Sequence, residues 1–170
     1  HAGQEVRDRA MSLLMQLLFR EIFEFRLIQT DPNFANYLYD TATDKLVLLD
    51  FGATREYDER IVNAYRELML GAIESDRSAV TAAAETIGFF QDDIVHEQKD
   101  AIIDIFIQAC EPLQHNGAYD FGASNLAKRI SDRGMAVSMD RDYWHTPPAD
   151  AIFLHRKLGG LYLLLSHLGA

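Results

Sequence analysis

The stretch Gln29–Gly52 limits what this chain can fold into more than any other part of it. It reads Gln29-Thr30-Asp31-Pro32-Asn33-Phe34-Ala35-Asn36, then Tyr37-Leu38-Tyr39-Asp40, a polar turn, and Leu46-Val47-Leu48-Leu49-Asp50-Phe51-Gly52. A helix arriving from the N-terminal side has to end before Pro32, because the residue preceding a proline is pushed out of the helical region. Two short runs on either side of Asp40-Thr41-Ala42-Thr43-Asp44-Lys45 predict a small hairpin, with strands over 37–40 and 46–49. Leu46-Val47-Leu48-Leu49 is uniformly apolar, which predicts a strand covered on both faces. Gly52 then lets the chain turn away. The order is therefore helix end, carboxylate (Asp31), amide (Asn36), hairpin, second carboxylate (Asp50).

The flanking sequence predicts helices. Over 5–28, apolar residues fall at 10, 14 and 17 and again at 11, 15, 18, 22 and 25, so a central buried helix is expected there. Everything after Gly52 reads helical. A helix over 57–74 places Ile61, Tyr65, Leu68, Met69 and Ala72 on one face, with Asp58 and Glu59 in its first turn. Asp76 is a candidate N-cap for a helix carrying Val80, Ala83, Ala84 and Ile87, closed by Gly88. Asp92 and Asp93 are expected to begin the next, with Ile102, Ile105, Phe106 and Ala109 inward and Pro112 as its end. Residues 112–123 read as loop, and Ser124 as the cap of a helix to about Ala136. Residues 138–149 read as irregular, with the only tryptophan (Trp144) anchored under a loop. A last helix from about Asp150 presents Leu154, Leu158, Leu161, Tyr162, Leu165 and Leu168. The expected fold is mainly α (α+β), one domain over 1–170, with about six helices and a small β-hairpin.

Composition removes several function classes. At 170 residues and 48% hydrophobic, the chain can bury a core without staples. The single Cys110 excludes an internal disulfide framework and fits a reducing compartment, as a small buried residue on a helix. The net charge of −10 argues against nucleic acid, since no basic surplus is left to neutralise phosphates. It also means that an anionic ligand at Asp31, Asn36 and Asp50 would need metal ions and cations from elsewhere. No apolar run reaches the roughly 18–20 residues needed to span a bilayer. No signal peptide is legible, and the opening His1-Ala2-Gly3-Gln4 without methionine reads as a piece of a longer protein, with His1 a cloning remnant.

Three residues carry candidate chemistry. Asp31 can orient or deprotonate a hydroxyl or water, and Asn36 can offer its amide oxygen to a metal. Asp50, at the end of an apolar strand, can bridge metal to phosphates. Neither D-x-x-x-x-N nor Asp-Phe-Gly is specific alone; their joint order around a hairpin is. A second Asp-Phe-Gly, at Asp120-Phe121-Gly122, follows no apolar strand and reads as structural loop. His96-Glu97-Gln98-Lys99-Asp100 lacks the second imidazole of a zinc helix and reads as a solvated face. His155 and His167 read as packing or surface residues, and Gly159-Gly160 as a place of close helix packing.

The segments Gln29–Asn36 and Leu48–Glu56 closely resemble the UbiB-type atypical kinase family, which is linked to coenzyme Q (ubiquinone) biosynthesis. Phe19–Arg26, Tyr119–Gly122 and Leu154–Gly160 resemble it as well, so the likeness spans essentially the whole chain. The resemblance implies the C-terminal lobe of a protein-kinase-like fold, with the N-lobe lying outside this chain. By it Asp31 matches the catalytic-loop aspartate, and Asn36 and Asp50 the ligands of Mg²⁺ that bind ATP. Gln29 and Thr30 stand where ordinary kinases carry His and Arg. With only a short stretch between Gly52 and the next helix, ATPase or small-molecule or lipid kinase activity is expected rather than protein phosphorylation. The phosphate-covering loop and the Lys–Glu clamp of the family are absent from this sequence, so the chain alone is expected to be inactive. Implied partners are a nucleotide, an isoprenoid lipid or ubiquinone-biosynthesis proteins, and the N-lobe, whose exposed seam would drive dimers of the fragment. The implied location is cytoplasmic or the mitochondrial matrix, peripheral to a membrane. Two other readings stand beside this one: a small-molecule phosphotransferase like the aminoglycoside kinases, and a non-catalytic scaffold or lipid-binding module.

Overall fold

The structure is a computed structural model, and it describes residues 3–31, 33–90, 94–138 and 147–170. Pro32, the expected helix start at Asp92 and Asp93, and Trp144 lie outside those residues. Helix α1 (Gln4–Arg20) buries Met11, Leu14 and Leu18, one residue per turn of the periodic stripe. It ends sooner than its apolar pattern suggests. A five-residue π turn, Glu21–Phe25, buries Glu21 and Ile22, and Arg26 then adopts a left-handed conformation with φ 55°. Leu27–Gln29 forms strand β1, so the expected helix to residue 28 is corrected here.

After a 3₁₀ turn (Phe34–Asn36) come β2 (Tyr37–Asp40) and β3 (Lys45–Leu48), with Tyr37 opposite Leu48 and Leu38 opposite Val47. This is the expected hairpin. Its apolar second strand is not covered on both faces, however. Tyr37 and Leu46 pack on the core, while Leu38 is 56% and Val47 42% exposed. Pairing in a two-stranded antiparallel sheet forces alternation, and the chain supplies one covering layer, not two. Strand β4 (Thr54–Glu56) runs antiparallel to β1, with Ile28 opposite Arg55, so the stretch after Gly52 is not all helical. Neither short strand has a local periodicity that would reveal it; each exists because the other is there.

Helices α2 (Glu59–Ile73) and α3 (Arg77–Ile87) form an antiparallel pair. Asp58 caps α2 by accepting from the Arg60 N–H, and Asp76 caps α3 by accepting from the Ala79 N–H. Gly71 permits their close approach, since a Cβ there would lie 3.0 Å from Ala79 Cβ and 3.1 Å from Val80 N. Gly88 closes α3 at φ 97°, as expected. Helix α4 (His96–Ala109) leads into α5 (Glu111–Gln114), where Pro112 occupies a first-turn position that needs no N–H. Two single-turn helices, α5 and α6 (Phe121–Ser124), stand where a loop over 112–123 was expected. Helix α7 is Leu126–Ser138 and α8 is Ala149–Leu168. Six of the described helices have eleven residues or more.

Helix α8 is the spine. It buries Ala151, Leu154, Leu161, Tyr162 and Leu165, and the Tyr162 hydroxyl donates to the Ala109 carbonyl at 2.8 Å. With Leu18, Ile22, Ile28, Val80, Ile103 and Leu126 these make one core, each large aliphatic contributing about 1.5–3 kcal/mol of burial. Gly159 is not a close-packing point: a Cβ there would meet nothing within 4 Å. Among the described residues no helix is long and apolar enough to cross a membrane.

Candidate functional site

The loop that carries Asp31 is held at both ends. Upstream, Thr30 is buried, and its N–H and hydroxyl both donate to the Ala53 carbonyl, at 2.9 and 2.7 Å. Downstream, the Asn36 carbonyl accepts from the Leu49 N–H at 2.9 Å. Inside the loop, Asp31 Oδ1 accepts from the Asn33 N–H at 3.1 Å, and Asn33 Oδ1 accepts from the Ala35 N–H at 3.0 Å. Asp31 Oδ2 accepts from Asn36 Nδ2 at 2.9 Å. These are the short-range bonds that Asp and Asn side chains favour in turns. Asp50 follows Leu49 and precedes Ala53, so the two ties hold the second carboxylate against the loop. Its Oδ1 accepts from the Gly52 N–H at 2.7 Å, and a Cβ at Gly52 would crowd that oxygen at 3.1 Å. A side chain there would make the exposed Asp50 carboxylate shift by a few tenths of an ångström. The structure bonds the Asp31 and Asn36 side chains to each other and ties the backbone on either side of Asp50 to residues 36 and 30.

The donor set suits a hard divalent cation. Asn36 commits its NH₂ to Asp31, which leaves Oδ1 without a protein partner among the described residues. Asp50 Oδ2 is equally open. Amide and carboxylate oxygens are what Mg²⁺ prefers, and it completes its shell with water and substrate phosphates rather than a protein cage. No group of three or more His, Cys, Asp or Glu that could hold a metal occurs among the described residues.

Around the loop, the segment from Gly52 to α2 is stapled down. Arg55 Nε donates to Asp150 Oδ1 at 2.9 Å with its guanidinium 4.8 Å from the Phe153 ring centre, and the Tyr57 hydroxyl donates to the Asp150 carbonyl at 2.7 Å. Burial pushes Tyr57 up to about 12. Beneath the loop lies a buried ion pair, Lys157 Nζ with Glu21 Oε2. Burial pushes Glu21 up and Lys157 down, and their mutual attraction opposes both shifts. Tyr37 is pushed up to about 12, first by burial and then by the carboxylates of Glu21 and Asp31. Sequence reasoning missed Glu21 and Lys157. The signal was there: Glu21 falls three residues after Leu18, and Lys157 between Leu154 and Leu161, each on a buried stripe.

Other candidates resolve as structural. Asp120 caps α6 by accepting from the Ala123 N–H at 2.8 Å, and Phe121 is buried, whereas Phe51 of the first Asp-Phe-Gly is 58% exposed. His96 pairs with Asp100 on an exposed face. His155 stacks on Phe89 in the interior. Cys110 is buried, its thiol pushed up to about 11 by desolvation.

A buried helix, a carboxylate–amide loop, a hairpin and an Asp-Phe-Gly turn, tied as described, sit in a mainly helical α+β fold. Comparison with known proteins narrows the class. A model of the ABC1 atypical kinase-like domain matches residues 2–84. Atypical kinase COQ8B, mitochondrial, of Rattus norvegicus is 36% identical over 99% of this chain and 31% of its own length. Atypical kinase COQ8, mitochondrial, of Saccharomyces cerevisiae is 34% identical over 99% of this chain and 34% of its own length. A probable serine/threonine-protein kinase, abkA, of Dictyostelium discoideum is 31% identical over 98% of the chain. The chain thus carries an ABC1 atypical kinase-like domain over residues 2–84 and is homologous to the COQ8/UbiB atypical kinases over nearly its whole length. It spans about a third of the length of these relatives.

Proposed function

We propose that this chain is the phosphate- and metal-handling lobe of an atypical kinase or ATPase that uses Mg²⁺ and ATP in support of ubiquinone biosynthesis. The reading rests on one observation: Asp50 is bracketed by Leu49, bonded to Asn36, and Ala53, bonded to Thr30, which supports carboxylate, amide and second carboxylate acting at one site. Asn36 Oδ1 and Asp50 Oδ2 would hold the metal, which when bound supplies charge neutralisation for the transferring phosphates. Asp31, fixed by Asn33 and Asn36, would orient the attacking hydroxyl or water and accept its proton. Leu38, Val47 and Leu49 form an exposed apolar face beside these oxygens, which favours a planar base as ligand. The pairing of β4 with β1 takes up the stretch where a peptide-binding loop would lie, which favours water, a small molecule or an isoprenoid lipid as acceptor. The mitochondrial relatives favour a mitochondrial location.

Among the described residues no cation contacts Asn36 or Asp50, so by itself the chain is expected to show no useful turnover. Extended to the length of its relatives, the protein is expected to hydrolyse ATP with Mg²⁺, and Asp50→Asn and Asp31→Asn should each lower the rate by roughly 100-fold or more. Thermal unfolding should stay where it was, since both carboxylates are partly or fully exposed. Wild-type rates in both variants would sink the proposal.

A further inference from the structure

We propose that the buried Glu21–Lys157 pair is a positioning device for the Asp31 loop, linking the last helix to the candidate base, rather than an element retained for stability; this rests on the phosphoryl-transfer reading of Asp31 above. Glu21 is 5% and Lys157 8% exposed, so both charges are almost wholly out of water. Such pairs seldom add stability compared with apolar residues of the same volume, because desolvation consumes the attraction. A buried pair in a core otherwise built of Leu, Ile and aromatic side chains therefore calls for another reason.

Its connections supply one. The Gln29 backbone N–H lies near enough to the Glu21 carboxylate to favour its charged form. The β1–β4 ladder bonds at the even positions: Tyr57 N–H donates to Arg26 O, and Thr30 N–H to Ala53 O. The Gln29 amide consequently points to the other edge of β1, where Glu21 waits. The Gln29 side chain gives no help, since it is buried and neither of its amide atoms has a partner among the described residues. Residue 29, two before Asp31, thus faces Glu21 on that edge. Glu21 itself is turned inward by the π turn, whose closing bond runs from the Arg26 N–H to the Glu21 carbonyl. On the opposite side, Lys157 shares with Asp31, Phe34 and Tyr37 a cavity of about 20 Å³, room for one water. Lys157 on α8, Glu21 on the π turn, Gln29 on β1 and Asp31 form one continuous path.

The decisive variant is the double Glu21→Met/Lys157→Met, which removes both charges and keeps side-chain bulk. Amide exchange followed by NMR in this chain reads the loop directly. Expected is a melting temperature at or near wild type with exchange at Thr30, Asn36 and Leu49 roughly tenfold faster or more, while Val80 and Ala84 in α3 stay unchanged. Lys157→Arg should keep loop exchange within about threefold of wild type, because a guanidinium can still meet Glu21. In the protein extended to its relatives' length, the double variant should lower kcat for ATP hydrolysis roughly tenfold with KM for ATP within about threefold. Wild-type exchange at the three loop amides would overturn the proposal. So would faster exchange spread equally over loop and α3, which would make the pair an ordinary stabiliser. If Asp31→Asn leaves turnover unchanged, the base reading of Asp31 falls instead, and the exchange result still decides the pair.

Discussion

Between pH 7.5 and 4.5, acidification should weaken this fold through His155. Its imidazole stacks on Phe89 with ring centres 5.1 Å apart, meets Phe106 edge-on at 5.6 Å, and places Nε2 3.1 Å from the Tyr65 hydroxyl. Burial pushes it down to about 4 from an ordinary 6.5. A histidine whose folded value is depressed binds fewer protons folded than unfolded below pH 6.5. Its neutral form is therefore favoured, fully so above about 6.5, and that advantage is lost as pH falls toward 4. At about 1.36 kcal/mol per pH unit, the loss across this window is about 3 kcal/mol. For a chain of this size that corresponds to a fall of roughly 6–12 °C in melting temperature. Glu21, raised by burial, works in the opposite sense over the same range, so the contribution of His155 must be read as a difference. The comparison is wild type against His155→Phe/Tyr65→Phe, which keeps the ring stack and strands no hydroxyl. Urea denaturation at pH 7.5 and pH 4.5 should show wild type losing about 3 kcal/mol more than the double variant. Equal losses would refute the reasoning.

Three further substitutions probe the frame. Gly88→Ala should cost about 1–2 kcal/mol, seen as a lower urea midpoint, because position 88 sits at φ 97° and a Cβ there would lie 3.1 Å from Pro148 Cγ. Leu154→Ala, at the fully buried centre of α8, should cost about 2–5 kcal/mol by the same assay. Thr30→Val should cost about 1 kcal/mol through its lost hydroxyl donation to Ala53, and should speed amide exchange at residue 30.

The candidate site was legible because its signals are local. Asp31, Asn36 and Asp50 stand at fixed offsets from a proline, a hairpin and a glycine, and each offset has its own backbone reason. The caps at Asp58 and Asp76 and the stop at Gly88 were readable on the same ground. What escaped the sequence depends on distant segments. The three-residue strands β1 and β4 stabilise only each other, and α1 yields to a π turn because Leu27–Gln29 is claimed by β4. The run Leu46–Leu49 read as doubly covered because apolar composition does not say how many layers the chain itself can supply. Glu21 and Lys157 were concealed by their apolar neighbours, and only the packing of α8 on the end of α1 makes them partners.

The central claim is that Asn36 and Asp50 offer the metal-binding oxygens of this lobe. Titrating the ¹⁵N-labelled chain with Mn²⁺ and ATP, the paramagnetic ion standing in for Mg²⁺, tests it most directly. The account predicts that amide signals of Asp31, Asn36, Asp50 and Phe51 broaden at the lowest metal additions, and that Asp50→Asn removes this selectivity. Broadening that instead begins at exposed acidic positions such as Glu97 and Asp132, with residues 31–36 and 50–53 spared, would contradict it.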